Sequence, residues 1–160
     1  MATAITDVQF QLQKYMLLSG IIQILFCCLE GPAIAAMPNK AMGKAAHHQF
    51  GHNGELLIAL AFAFPLCNLS PALLWATFFL LQIGTWCNGL SYLIVAATDC
   101  PNPLFENTPG LVAPGNGTGN IYTTASTIGL MALTAPGIVF GLLLLFIGVV
   151  RSGPAKSKTE

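Results

Sequence analysis

Four apolar runs, each long enough to cross a bilayer as a helix, restrict what this chain can fold into more than any other feature of its sequence. A hydrocarbon core about 30 Å thick needs about 20 helical residues, and residues 15–37, 47–66, 71–97 and 121–150 each meet that length with few charges. Backbone polar groups in lipid must pair within their own segment, so such runs read as helices. The expected fold is an all-α integral membrane protein, multi-pass in the lipid bilayer. It is expected to form one domain over residues 1–160, with four transmembrane helices in an antiparallel bundle. Only 8% of the residues are charged, six basic against six acidic. No charge excess is left to attract nucleic acid, and none is expected as a partner. Residues 1–10 hold Asp7 and no basic side chain, so no removable signal peptide is expected.

Local signals bound the runs. The first carries Gln23 and Glu30, and Gly31-Pro32 is expected to kink or end it. The short connection from Cys67 to Pro71 separates the second from the third, with Pro71 tolerated in a first helical turn. Residues 98–120 are rich in Pro, Gly and Asn and predict a loop. The fourth run is expected to be interrupted at Ala135-Pro136-Gly137, and the polar tail, residues 151–160, to be disordered. The five cysteines lack paired metal spacing, and most are read as buried small hydrophobes. An even number of spans puts both termini on one side. Lys14, Arg151, Lys156 and Lys158 then face Lys40 and Lys44 across the membrane, which places the termini in the cytoplasm. Asn116-Gly117-Thr118 would then be a candidate glycan acceptor on the other side.

All three histidines fall in the ten residues 46–55, together with Gln49, Asn53 and Glu55. The stretch runs without a break into apolar sequence, which puts these side chains on the first turns of the second helix. Ionisable groups at membrane depth are costly and mark sites. On a helix wheel with His47 at zero, His48, His52 and Glu55 share a stripe between about 80° and 140°, while Asn53 falls at about 240°. One flat ligand on one helix face would reach His47 or Asn53 but hardly both. The third helix carries a second polar stripe, Gln82, Thr85, Asn88 and Tyr92, with Trp86 and Ser91 beside it. Taken alone, that stripe reads as a seam hydrogen-bonding across helices. Paired with the histidine stretch, it reads as one wall of a site.

These residues resemble a known family. Ala46-His47, Asn53-Gly54 six residues on, then Ala61-Phe62 and Pro65, and Trp86-Cys87-Asn88 with Tyr92 are similar in order and spacing to the styrene oxide isomerases. The resemblance runs from about residue 45 to residue 148, through the loop to Ala135-Pro136 and Phe140-Gly141, and is carried by helices two to four rather than the first. It implies a small four-helix membrane enzyme, a homotrimer holding ferric haem b between subunits, that rearranges an aryl or allylic epoxide to an aldehyde or ketone. It also implies His47 as axial haem ligand, Asn53 as the residue positioning the epoxide oxygen, and Tyr92 as active-site tyrosine. Asn88 is a secondary candidate.

His48, His52 and Glu55 depart from the styrene-degrading bacterial members, where those positions are largely small or apolar. They imply either a different, larger or more polar epoxide or a reaction with a built-in base. Two other readings stay open. The first is an isomerase or cyclase using His48, His52 and Glu55 as acid–base groups or as a non-haem metal site, for which their spacing is suited. The second is a non-enzymatic membrane adaptor whose polar stripes only specify packing.

Overall fold

The computed structural model describes residues 6–101 and 119–152. Helix α1 spans Asp7–Ala33 and tightens into a 3-10 turn, Ile34–Ala36. Helix α2 spans Lys40–Ala61, and a second 3-10 turn, Phe64–Leu66, follows it. Helices α3 and α4 span Pro71–Thr98 and Ile121–Val150. The described residues hold no strand. The candidate glycan acceptor Asn116 and nearly all of the polar tail lie outside the described residues.

Caps set most helix starts. Thr6 and Gln9 form a reciprocal capping box on α1, Ser70 accepts from Leu73 N ahead of Pro71, and Asn120 accepts from the backbone of Tyr122 and Thr123. The start of α2 differs from expectation. Asn39 caps it by accepting from Met42 N at 3.0 Å, eight residues before His47. The histidine stretch therefore lies in the middle of a helix, not on its first turns. Polar Lys40 and Lys44 hid those turns from a reading by hydrophobicity, although neither residue disfavours a helix.

Among the described residues three helices are long and apolar enough to cross a membrane: α1 with its 3-10 turn, α3 and α4. Helix α2 is long enough but is too polar through its middle to join them. Pro32 ends α1 within a turn, as expected. Pro136 does not interrupt α4, which continues through it. The adjacent Gly137 packs on Gly84 so closely that a Cβ on either would lie within 3 Å of the other helix's backbone, and this contact holds the proline turn in place.

Neighbouring helices run antiparallel. Gly20 packs against Gly54, Asn53 against Thr85, and Leu81 against Gly141. Helices α1, α2 and α3 surround one core, whereas α4 packs mainly along α3, with lesser contacts to the Phe64–Leu66 turn and the connection that follows it. One apolar cluster, including Leu12, Met16, Leu57, Phe64, Leu74 and Leu81, fills one end. A smaller one, Met42, Val95, Ala96 and Cys100, fills the other. Large apolar side chains on α1 and α4 point outward, among them Leu25, Leu29, Phe140 and Phe146. That is the surface expected of lipid-facing helices.

Candidate functional site

Two polar layers cross the three-helix core. In the first, Gln23 of α1 donates to Thr85 Oγ1 of α3 at 3.2 Å, and Asn53 of α2 donates to the Thr85 carbonyl at 2.9 Å. All three residues are buried. Ser19, Gln82 and Trp86 extend this layer, with Ser19 Oγ donating to Gln82 Oε1 and Trp86 Nε1 donating to Ser19 Oγ at 3.0 Å.

The second layer follows from helical register. Helices α1 and α3 run parallel, since Ser19 meets Gln82 and Gln23 meets Thr85. Two turns further along both, a rise of about 10 Å, Glu30 comes to the level of Tyr92. Helix α2 runs the other way, pairing Asn53 with Thr85 and Gln49 with Asn88. At the level of Tyr92 it therefore presents Ala45 and Ala46, with His47 the next residue along. Between the layers sits an aromatic cluster. Phe26 and Phe50 stack at 5.6 Å between ring centroids, and Trp86 meets both edge-on. Gly89 makes room for it, because a Cβ there would lie 2.6 Å from the Phe50 ring.

His47 is fixed by α1. Its Nδ1 lies 2.8 Å from the Cys27 carbonyl oxygen, and the Cys27 thiol lies 3.4 Å from Nδ1 and 3.7 Å from Nε2. Gly31 lies under the ring, where a Cβ would come 3.4 Å from Cε1. Glu30, one residue away, is buried within electrostatic reach of His47. Neither of its carboxylate oxygens has a hydrogen-bond partner among the described residues, and the same holds for Gln23 Oε1.

The predicted residues thus separate. His47 and Tyr92 share the second layer, where Tyr92 packs against the cluster of Met42, Val95, Ala96 and Cys100. Asn53 belongs to the first layer, across the aromatic cluster. Asn88 donates to Gln49 Oε1 at 2.8 Å and clasps α3 to α2. Gln82, Thr85 and Asn88 make the cross-helix hydrogen bonds expected of a packing seam. His48, His52 and Glu55 share one stripe, as the wheel predicts, but it is the outward one. The His48 and His52 rings stack at 6.2 Å, and His52 Nδ1 lies 3.6 Å from Glu55 with both side chains about 70% exposed. Among the described residues no three His, Cys, Asp or Glu side chains converge into a metal-binding set.

Sequence reasoning placed Gln23 and Glu30 in the first helix but gave them no role. Their spacing of seven, two turns of one face, was the signal that they share a face. Of the cysteines, Cys67, Cys87 and Cys100 are buried, Cys27 is half-buried and Cys28 is exposed, and all five are free thiols. Burial in the connection after α2 pushes the Cys67 thiol up to about 11, so it is inert.

Comparison with known proteins extends the resemblance. The family described as styrene oxide isomerase matches residues 12–150, which includes most of α1 and the whole of the other three helices. Hydroxylaminobenzene mutase HabA of Ectopseudomonas oleovorans is 35% identical over 85 residues, which cover 53% of this chain and 63% of that protein. The match thus spans less than two thirds of that relative's length. No solved structure matches the chain.

Proposed function

The chain belongs to the styrene oxide isomerase family, and from that premise we propose a membrane isomerase that rearranges a small hydrophobic epoxide to an aldehyde or ketone, with ferric haem b held by His47. The orientation of His47 carries this reading. A backbone carbonyl only accepts, so the bond to Cys27 puts the ring proton on Nδ1 and leaves the Nε2 lone pair for a metal. The Cys27 sulfur is nearly equidistant from both ring nitrogens. It therefore flanks the ring and does not block the outward axis of Nε2. An imidazole whose tautomer is set by a backbone carbonyl is the kind of donor such a cofactor requires, and this supports the reading.

When bound, ferric haem supplies an open Lewis-acid position for the epoxide oxygen. The rest of the work falls to the chain. Asn53 commits one N–H to the Thr85 carbonyl, which orients its amide and leaves the second N–H for an oxygen gaining negative charge. Tyr92 stands in the other layer of the same protomer, so we assign it to that oxygen only across a subunit boundary, where one copy supplies Asn53 and its neighbour Tyr92. The apolar helices keep water from the opened carbon. Hydrogen then shifts to the neighbouring carbon within the substrate, so no base is needed.

The relative's name motivates a second substrate class, an arylhydroxylamine, in which an N–O bond takes the place of the epoxide C–O bond. Both are intramolecular rearrangements of an oxygen beside an aromatic ring. We also assign the outward stripe of His48, His52 and Glu55 to contacts within a homotrimer. An acidic side chain left facing lipid costs about 2.5–3.5 kcal/mol even on a permissive scale. Returning only monomers on mass measurement in nanodiscs, with cofactor bound, would refute the trimer.

The test begins with the absorption spectrum of detergent-purified protein. A Soret band is expected. A stoichiometric metal without that band points to a non-haem site, and neither signal points to an adaptor. An aryl epoxide carrying deuterium at the migrating position should then deliver its label to the aldehyde. Loss of label to solvent would replace the 1,2-shift with proton transfer through a base.

A further inference from the structure

The two unpartnered acceptors on α1 are unexplained by an epoxide. Buried polar atoms in folded proteins are almost always hydrogen-bonded, and leaving one unmade is costly. Gln23 is fully buried and Glu30 is 8% exposed, yet Gln23 Oε1 and both oxygens of Glu30 lack a partner among the described residues. They are seven residues apart on one face of α1, the face that carries Cys27 against His47. The stacked pair Phe26 and Phe50 and the edge of Trp86 lie between their levels. This face therefore combines two buried acceptors with an aromatic wall. An epoxide oxygen only accepts, so it satisfies neither acceptor.

Gln23 lies two turns from Glu30 across the aromatic cluster, too distant to share one donor with it. We propose that Glu30, beside His47, recognises a hydrogen-bond donor on the substrate, so that this chain takes an aromatic compound bearing an O–H or N–H beside the reacting oxygen. This rests on the isomerase reading and narrows its substrate class. It does not depend on whether Glu30 is ionised, since a carboxyl group keeps an accepting oxygen in either state. Glu30 is a binding residue in this account, and the outward pair His52 and Glu55 takes no part. The donor also supplies a reason for an acid at a level where lipid-facing helices would favour an apolar residue.

Equilibrium binding to the full-length protein in nanodiscs tests this with a pair of compounds that no isomerase converts: 3-phenylpropan-1-ol, which donates, and its methyl ether, which does not. The wild-type protein is expected to bind the alcohol about tenfold more tightly, where the upper end for a hydrogen bond to a neutral group meets the lower end for one to a charged group. Glu30→Leu should bring the two within about twofold. Glu30→Gln, which keeps an accepting oxygen, should retain most of the preference. Equal affinity in the wild type would mean that water alone meets these acceptors and would overturn the proposal, whether or not the variants fold. A preference surviving in Glu30→Leu would overturn it too.

Turnover of 3-phenylglycidol and its methyl ether separates the two claims. A binding preference with neither epoxide converted removes the isomerase reading and keeps the donor site. Conversion of both epoxides at equal efficiency, with no binding preference, does the reverse.

Discussion

The two faces of α2 hold similar side chains and meet opposite fates. On the inner side, His47 bonds the Cys27 carbonyl and Asn53 bonds the Thr85 carbonyl, both at under 3 Å. On the outer side, His48, His52 and Glu55 meet side chains of their own helix, His52 stacking on His48 and reaching Glu55 while His48 meets the His47 ring edge-on, and stand open. Both sets come from the same ten residues, so composition does not explain the contrast. Angular position does, because neighbouring helices offer fixed backbone acceptors on one side only. A polar group held by another helix's backbone has one orientation, which is what a ligand or catalytic donor needs. A polar group paired within its own helix keeps its freedom until a partner covers it.

The largest break in this contrast should come from His47→Ala. It is expected to abolish both the Soret band and turnover, while His48→Ala and His52→Ala keep most of each. Spectra of the three variants decide it, and a ligand role for His48 or His52 would invert the roles of the two faces. Next, Asn53→Ala should lower turnover by about 10- to 1,000-fold with the spectrum nearly unchanged, the range for losing one donor to a developing charge.

Packing gives a sharper version without any substrate. Gly54→Ala puts a Cβ 2.7 Å from the Gly20 carbonyl oxygen and should destabilise the protein by about 1–3 kcal/mol in reversible unfolding in detergent. Tyr92→Phe should reduce turnover only a few-fold, less than Asn53→Ala, because its ring packing survives the loss of the hydroxyl. The smallest effect is expected from His52→Ala. The exposed His52–Glu55 pair should contribute under about 0.5 kcal/mol to the protomer, and a larger loss would show that the stripe is not free in the single chain.

Much of this site was legible in the sequence and some was not. Helix α3 agreed with expectation to one residue, because Ser70-Pro71 starts it and its apolar run is unbroken. The start of α2 was missed because its first turns are polar, and its cap, Asn39, is tied to the end of α3 by a bond to Asp99 at 2.9 Å. The outward stripe was correctly grouped by periodicity, but periodicity could not say which way it faced. Glu30 was visible only as an acid in an apolar run. Its relation to His47 and Tyr92 depends on the register of three helices, which no local pattern encodes.

Local sequence was enough for the class, an apolar all-helical chain with its histidines gathered on one helix, though it led to an expectation of four spanning helices where three among the described residues are apolar enough. Length, hydropathy and capping are local properties and survive without knowledge of neighbours. Tertiary structure decided which polar atoms meet. Close glycine contacts, Gly20 on Gly54 and Gly84 on Gly137, fix how far each helix slides along the next. That register brings His47 to the Cys27 carbonyl, places Asn53 against Thr85, and leaves the Glu30 carboxyl group buried without a donor among the described residues. A shift of one turn would move every pairing by about 5.4 Å, beyond the reach of any hydrogen bond.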